Sequence, residues 1–253
     1  MYEAEIINKK MFTLCLGKNG GSFGIGGYNT DSHLDSISWF PMQHTGNGYR
    51  FKLTGVAVNE HPMAGSSAYN IGFVDSGTTF SYLPHGLWDS LVYHFSYHCN
   101  QTNPDSSSDS KYCPSRPFLT RIDGESLVCF NFDAERFANR TKEFFMGYPI
   151  VNIFARTQSG EIKKIQWFPS EYLYLEKAGD KYCLAADKGS GNEILFGSTL
   201  MRQNDFIFDI ESKKIGIARA ACSVDPGMIV SENDYIEYGT PFGLVTDAAN
   251  QTQ

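Results

Sequence analysis

The stretch Phe73-Val74-Asp75-Ser76-Gly77-Thr78-Thr79-Phe80 constrains the fold more than any other part of this chain, and its pattern occurs once. An apolar run ends on a carboxylate, and small hydroxylated residues and a glycine follow at once. That order suits a tight turn at the end of a buried strand, because a glycine lets the backbone reverse without a Cβ penalty. The Gly77 N–H is in reach of the Asp75 carboxylate, and the hydroxyls of Ser76 and Thr78 offer further donors. Donors gathered round a carboxylate favour its charged form and fix its direction. Such a group can activate water, but not alone.

The rest of the chain reads as short strands punctuated by turns. Aromatic residues make up 14%, charged residues only 19%, and there are 24 glycines, a composition that suits β structure. Met11–Leu16 alternates like a strand, 17–21 turns it and 22–28 returns it. Gly24-Ile25-Gly26 lacks the third glycine and the following helix of a nucleotide loop, so it belongs to that hairpin. Further strands are expected over 39–42, 48–58, 144–154, 161–174, 194–196, 206–209 and 214–218. Leu83-Pro84 leads into a helix over 86–97, with Leu87, Leu91 and Phe95 on one buried face.

On these residues the chain resembles the pepsin-like aspartic proteases, whose second catalytic motif is Asp-(Ser/Thr)-Gly-(Thr/Ser)-(Thr/Ser). The supporting matches are Trp39-Phe40-Pro41 before a tyrosine-led strand, Pro169-Ser170-Glu171-Tyr172, and Ile194-Leu195-Phe196-Gly197. The last is the element that crosses beside the aspartate loop in that family, with glycine permitting close backbone approach. The resemblance covers about residue 11 to 222. It implies an all-β fold, namely the C-terminal lobe of the bilobed acid-protease architecture with antiparallel sheets and one or two short helices. It also implies a lobe over 1–224 and an irregular tail over 225–253.

Function follows from the same resemblance. Asp75 is expected to be one carboxylate of a catalytic dyad, with Thr78 bonded to its outer oxygen, Gly77 beside it and Ser76 reaching across to the other lobe. Gly77, Thr79, Tyr49 and Leu195 are expected to line the cleft for an extended peptide. No cofactor and no metal are expected. The partner is an N-terminal lobe carrying the second aspartate, which this chain lacks: Asp123-Gly124 and Asp180-Lys181 have no following hydroxyl, and Asp31-Ser32-His33 and Asp35-Ser36-Ile37 have no glycine. Met1 opens no signal peptide or inhibitory pro-segment. The expectation is therefore half an enzyme, as a truncated product, a fragment or a gene model missing its first exons, and inactive alone.

Six cysteines and the sequons at Asn100, Asn139 and Asn250 point to the secretory pathway, whether lysosomal, vacuolar or extracellular. Zinc lacks support, because no Cys-x-x-Cys and no Cys/His ligand spacing is present. Spacing alone leaves the disulfide pairing open. The resemblance implies Cys129–Cys183, common in pepsin-like C-terminal lobes, and Cys15–Cys222, as in memapsin-type members. Cys99–Cys113 would then close a polar insertion, where a loop of that size contributes about 3 kcal/mol.

Other chemistries find little footing. A net charge of −7 argues against nucleic acid, which needs Lys/Arg stripes, and no run of about 18 apolar residues marks a membrane span. His94 and His98 stand at helical spacing but lack a third ligand, so packing is the expected role. Ser66 and Ser67 do not form Gly-x-Ser-x-Gly. The Asn/Ser-rich stretch 100–110 is expected to be a solvated loop. Two readings of another class stay open: a non-catalytic binding protein on a degenerate protease scaffold, as in plant glucanase- or xylanase-inhibitor relatives, and a homodimer joined through Asp75 loops, as in retroviral proteases.

Overall fold

A computed structural model describes residues 2–3, 5–43, 47–63, 65–103, 106–110, 112–122 and 125–223. The sequon at Asn250 and the tail expected over 225–253 lie outside them. Met11–Leu16 alternates buried and half-buried side chains. It pairs with Gly21–Ile25 on one edge and Asn204–Asp209 on the other. Asn204–Asp209 forms a hairpin with Lys214–Arg219, which pairs onward with Ser38–Gln43. Residues near both ends of the described chain thus lie in one sheet, and Cys15–Cys222 fastens them with a Cα–Cα distance of 5.2 Å.

The ten-residue strand Tyr49–Val58 pairs at its ends with Ser38–Gln43 and His61–Pro62 and along its length with two longer partners. Its first half pairs with Ile71–Val74, and its second half pairs with Val151–Arg156 across a bulge at Phe154/Ala155. Ile194–Phe196 inserts between Ile71–Val74 and Ser81–Pro84, parallel to the first and antiparallel to the second. Ala186–Gly189 also runs parallel to its neighbour Ser81–Pro84. The antiparallel expectation therefore holds for most pairs but not these two. Their crossovers join strands more than 100 residues apart, which periodicity along a single strand cannot signal.

A separate four-stranded antiparallel sheet runs Pro117–Ile122, Glu125–Asn131, Lys181–Leu184, Leu173–Leu175. In it Cys129 lies directly opposite Cys183, and the two are bonded with Cα atoms 4.0 Å apart. Cys99–Cys113 joins the end of a helix to the chain that follows it. That helix, α1, spans His85–Asn100 and buries Leu87, Trp88, Leu91, Phe95 and Cys99. Its inner face meets an aromatic core in which Phe95 contacts Tyr172, and Phe130 contacts Tyr148.

Three stretches depart from the expected elements. The strand expected over 144–154 is the helix α2, Thr141–Met146, followed by Val151–Arg156. Phe144, Phe145 and Met146 are all buried, and a short apolar run of this kind fits a buried helix turn as well as a strand. Gly147 caps α2 where a Cβ would come 2.3 Å from Pro114 Cδ. The strand expected over 161–174 stops at Trp167, because Pro169 opens α3, Pro169–Tyr172, a position where its missing N–H costs nothing. The 100–110 stretch, expected as a loop, carries a small backbone ladder between Thr102–Asn103 and Ser106–Ser110. The fourth helix, α4, is Ser198–Met201.

His98 takes a packing role: its ring stacks on Tyr112 with centroids 4.9 Å apart, and its Nε2 lies 3.4 Å from the Gly147 carbonyl oxygen. Burial, with a smaller push from His61, lowers its pKa to about 4. A histidine held neutral in this way stabilises the fold fully above its ordinary value near 6.5 and loses that contribution as pH falls toward 4. His98→Phe, which keeps the stack, is expected to flatten the loss of stability between pH 6.5 and 4 by about 2 kcal/mol, measured by denaturant unfolding across that range.

Candidate active site

The aspartate turn is built by strand geometry before any side chain acts. Ile71–Val74 ends at Asp75, whose N–H donates to the Phe196 carbonyl at 3.0 Å, extending the parallel ladder by one residue. The chain then reverses, with the Thr78 N–H donating to the Asp75 carbonyl at 3.2 Å. On the carboxylate, Oδ1 accepts the Gly77 N–H at 3.0 Å and Oδ2 accepts the Thr78 hydroxyl at 2.6 Å. Two donors from within the turn fix the plane of the carboxylate. Ser76, Gly77 and Thr79 are exposed, while Asp75 and Thr78 are half-buried. The Ser76 hydroxyl makes no hydrogen bond among the described residues. Gly77 does not have a positive φ, so backbone reversal is not its contribution. A Cβ there would sit 3.3 Å from Asp75 Oδ1, and its absence keeps the space at the carboxylate open.

Behind the turn, Gly197 and α4 act as a brace. The amides of Ser198 and Thr199 donate to the carbonyls of Thr78 and Thr79 at 2.7 and 3.2 Å, and the Ser198 hydroxyl donates to Thr79 as well. Gly197 is required for space. A Cβ on it would lie 2.1 Å from the Phe80 carbonyl oxygen and 2.9 Å from that of Thr78. Because these obstacles are backbone atoms of the aspartate turn, Gly197→Ala is expected to displace the turn and destabilise the chain by about 3 kcal/mol or more. Chemical denaturation, with amide exchange at Thr78 reporting on the turn, checks both effects.

Two buried hydroxyls complete the brace, and sequence reading missed both. Ser81 and Thr199 lie 118 residues apart, yet their hydroxyls are 3.3 Å apart. Ser81 Oγ also accepts the Gly197 N–H, Thr199 Oγ1 donates to the Ala185 carbonyl, and the Trp167 indole donates to the Thr199 carbonyl at 3.0 Å. The available signal was hydroxyl residues directly following each marked motif: Ser81 after Phe80, and the pair Ser198-Thr199 after Gly197.

The two side chains assigned to substrate contact sit on different rows. Leu195 is opposite Phe73 and Tyr82, and by strand alternation this row shares the face of Asp75. Arg50 stands opposite Phe73 and stacks on its ring at 4.1 Å while bonding Glu193. Tyr49 is instead opposite Val74, and its ring packs against Phe12 and Phe208 at 5.4 and 4.6 Å. Asn100 and Asn139 are both exposed. No group of three or more His, Cys, Asp or Glu side chains with metal-binding geometry occurs among the described residues, and no described helix is long and apolar enough to cross a membrane.

Comparison with known proteins places this geometry. The chain is 24% identical over 229 residues to aspartic proteinase 36 of Arabidopsis thaliana, an overlap covering 85% of this chain and 40% of that protein. It is 26% identical to aspartic proteinase 39 of the same plant, with the same coverage of each chain. Aspartic protease 5 of Toxoplasma gondii is 23% identical over 86% of this chain and 19% of its own length. The chain thus matches less than half the length of these relatives. The family model for the eukaryotic aspartyl proteases matches residues 1–220, and the chain belongs to that family.

Proposed function

We propose that this chain is the C-terminal lobe of a two-lobed aspartic endopeptidase and supplies one of its two catalytic carboxylates, Asp75. The observation that carries this reading is the turn itself. Both oxygens of Asp75 are engaged from within the loop, by Gly77 and Thr78, on a turn whose Ser76, Gly77 and Thr79 are exposed. A second carboxylate brought there would share a proton with it, because two carboxylates about 3 Å apart cannot both ionise comfortably. The ionised member takes a proton from water, and the protonated member donates to the peptide carbonyl, giving a tetrahedral intermediate without covalent attachment. The exposed Ser76 would meet the matching residue of the other lobe, and Gly77 and Thr79 would offer backbone groups to an extended peptide.

The three disulfides support assembly in an oxidising compartment. A secretory route, with glycans on the exposed Asn100 and Asn139, belongs to the same proposal. Sequencing the transcript upstream of the Met1 codon tests it. An in-frame lobe bearing Asp-Thr-Gly-Ser or a close variant makes Asp75 the second carboxylate of a dyad. An upstream lobe without that aspartate turns the scaffold to binding instead.

A further inference from the structure

Behind α4 lies a buried ionic cluster that the hydrolytic chemistry does not use. Glu171, in α3, is 1% exposed. Its Oε2 accepts the Phe168 N–H at 2.9 Å, and its Oε1 accepts from the Arg219 guanidinium, which stacks on the Phe168 ring at 4.6 Å. Arg202 donates to the Glu171 main-chain carbonyl at 3.3 Å, and Arg219 donates to the Arg202 carbonyl at 3.4 Å.

Two routes join this cluster to the aspartate turn. Arg202 directly follows α4, whose Ser198 and Thr199 amides hold the Thr78 and Thr79 carbonyls. Trp167, two residues before α3, holds the Thr199 carbonyl through its indole N–H. Hydrogen bonds thus run from α3 to the brace under Asp75 without a break.

We propose that Glu171 is a proton-sensitive positioning residue, whose charge state sets how firmly α4 holds the Asp75 turn. When protonated it still accepts from Phe168 and Arg219, so the geometry persists while the burden of a buried anion disappears. The charges facing it are Arg219 from the terminal hairpin and Arg202 from the end of α4. Beyond Arg219, Asp35 accepts the Arg219 N–H at 2.8 Å and lies in the field of His33 and Lys163. His33 is itself bonded to the buried Asp205 at 2.9 Å. Burial raises the Glu171 carboxyl to about 7 against the opposing pull of Arg219, Arg202 and the Phe168 amide. A carboxyl raised in the fold stabilises it fully below its unfolded value, near 4.5, and loses that contribution as pH rises through 7. Acidification should therefore tighten the brace. Burial also raises Asp35, which makes it the necessary control.

Amide hydrogen exchange on this chain at pH 5.5 and 7.5, corrected for intrinsic rates, is the test. Protection at Thr78, Ser198 and Thr199 is expected to rise about tenfold in acid. Glu171→Gln should give the same high protection at both pH values, while Asp35→Asn keeps the wild-type dependence. Protection that is flat in the wild type, or a pH dependence that survives in Glu171→Gln, overturns the proposal. Should Glu171→Gln fail to fold, carbon NMR titration of the wild-type Glu171 carboxyl decides: a midpoint above about 5.5 supports the proposal and one below overturns it. The consequence for catalysis rests on the proteolytic reading, but the exchange test does not, so either can fail alone.

Discussion

Under the proposed two-lobed reading, Asp75→Asn is expected to abolish peptide hydrolysis while leaving the fold nearly intact. The amide has the shape of the acid, and its oxygen can still accept the Gly77 N–H that Oδ1 accepts now. The Thr78 hydroxyl, bonded to Oδ2 at 2.6 Å, can rotate to accept from the new NH2. What vanishes is a group able to take and return a proton. The expected loss in kcat is at least about a thousandfold, within the range of general acid–base contributions. The unfolding free energy should change by no more than about 1 kcal/mol. Steady-state kinetics on a peptide substrate and urea unfolding of the same preparation check the two halves. A large loss of stability would make Asp75 a structural residue first.

Arg219→Ala has the largest expected effect on stability. It removes the guanidinium that contacts the Glu171 carboxylate, and the side chains of Arg219 and Glu171 are only 10% and 1% exposed. Removing one partner of a buried pair typically costs about 3–5 kcal/mol, because the other charge is stranded away from water. The stacking of Arg219 on Phe168 is lost as well. The deficit should be largest at neutral pH and shrink in acid, where Glu171 takes up a proton. Replacing both residues by apolar ones of similar volume should recover much of it. Urea unfolding of the single and double variants at pH 5.5 and 7.5 measures each of these.

What could be read in the sequence was local, or periodic over one element. Asp75 with its turn, the buried face of α1, the need for glycine at 197 and the terminal hairpin all announce themselves within a few residues. The structure joins Cys15–Cys222 and Cys129–Cys183, which the family resemblance implied, and Cys99–Cys113, the local pair that these two left; spacing alone left all three open. Hidden from sequence was whatever depends on partners far along the chain. Ile194–Phe196 reads as a strand, but nothing in three apolar residues says that it enters between Ile71–Val74 and Ser81–Pro84. Glu171 reads as one polar residue in a Pro-Ser-x-Tyr stretch, and only the arrival of Arg219, 48 residues later, makes it a buried ion. Phe144-Phe145-Met146 misled because full burial erases the polar alternation that separates helix from strand. Gly77 misled more subtly, since its role is room beside a carboxylate rather than freedom of φ.

The most direct measurement is acid hydrolysis of a protein substrate by this chain as a purified monomer, beside the same chain joined to the N-terminal lobe proposed for it. A half-dyad predicts turnover only when both lobes are present, and loss of that turnover with Asp75→Asn. Hydrolysis by the monomeric chain alone, with Asp75→Asn still active, would contradict the assignment of Asp75 to a shared catalytic pair.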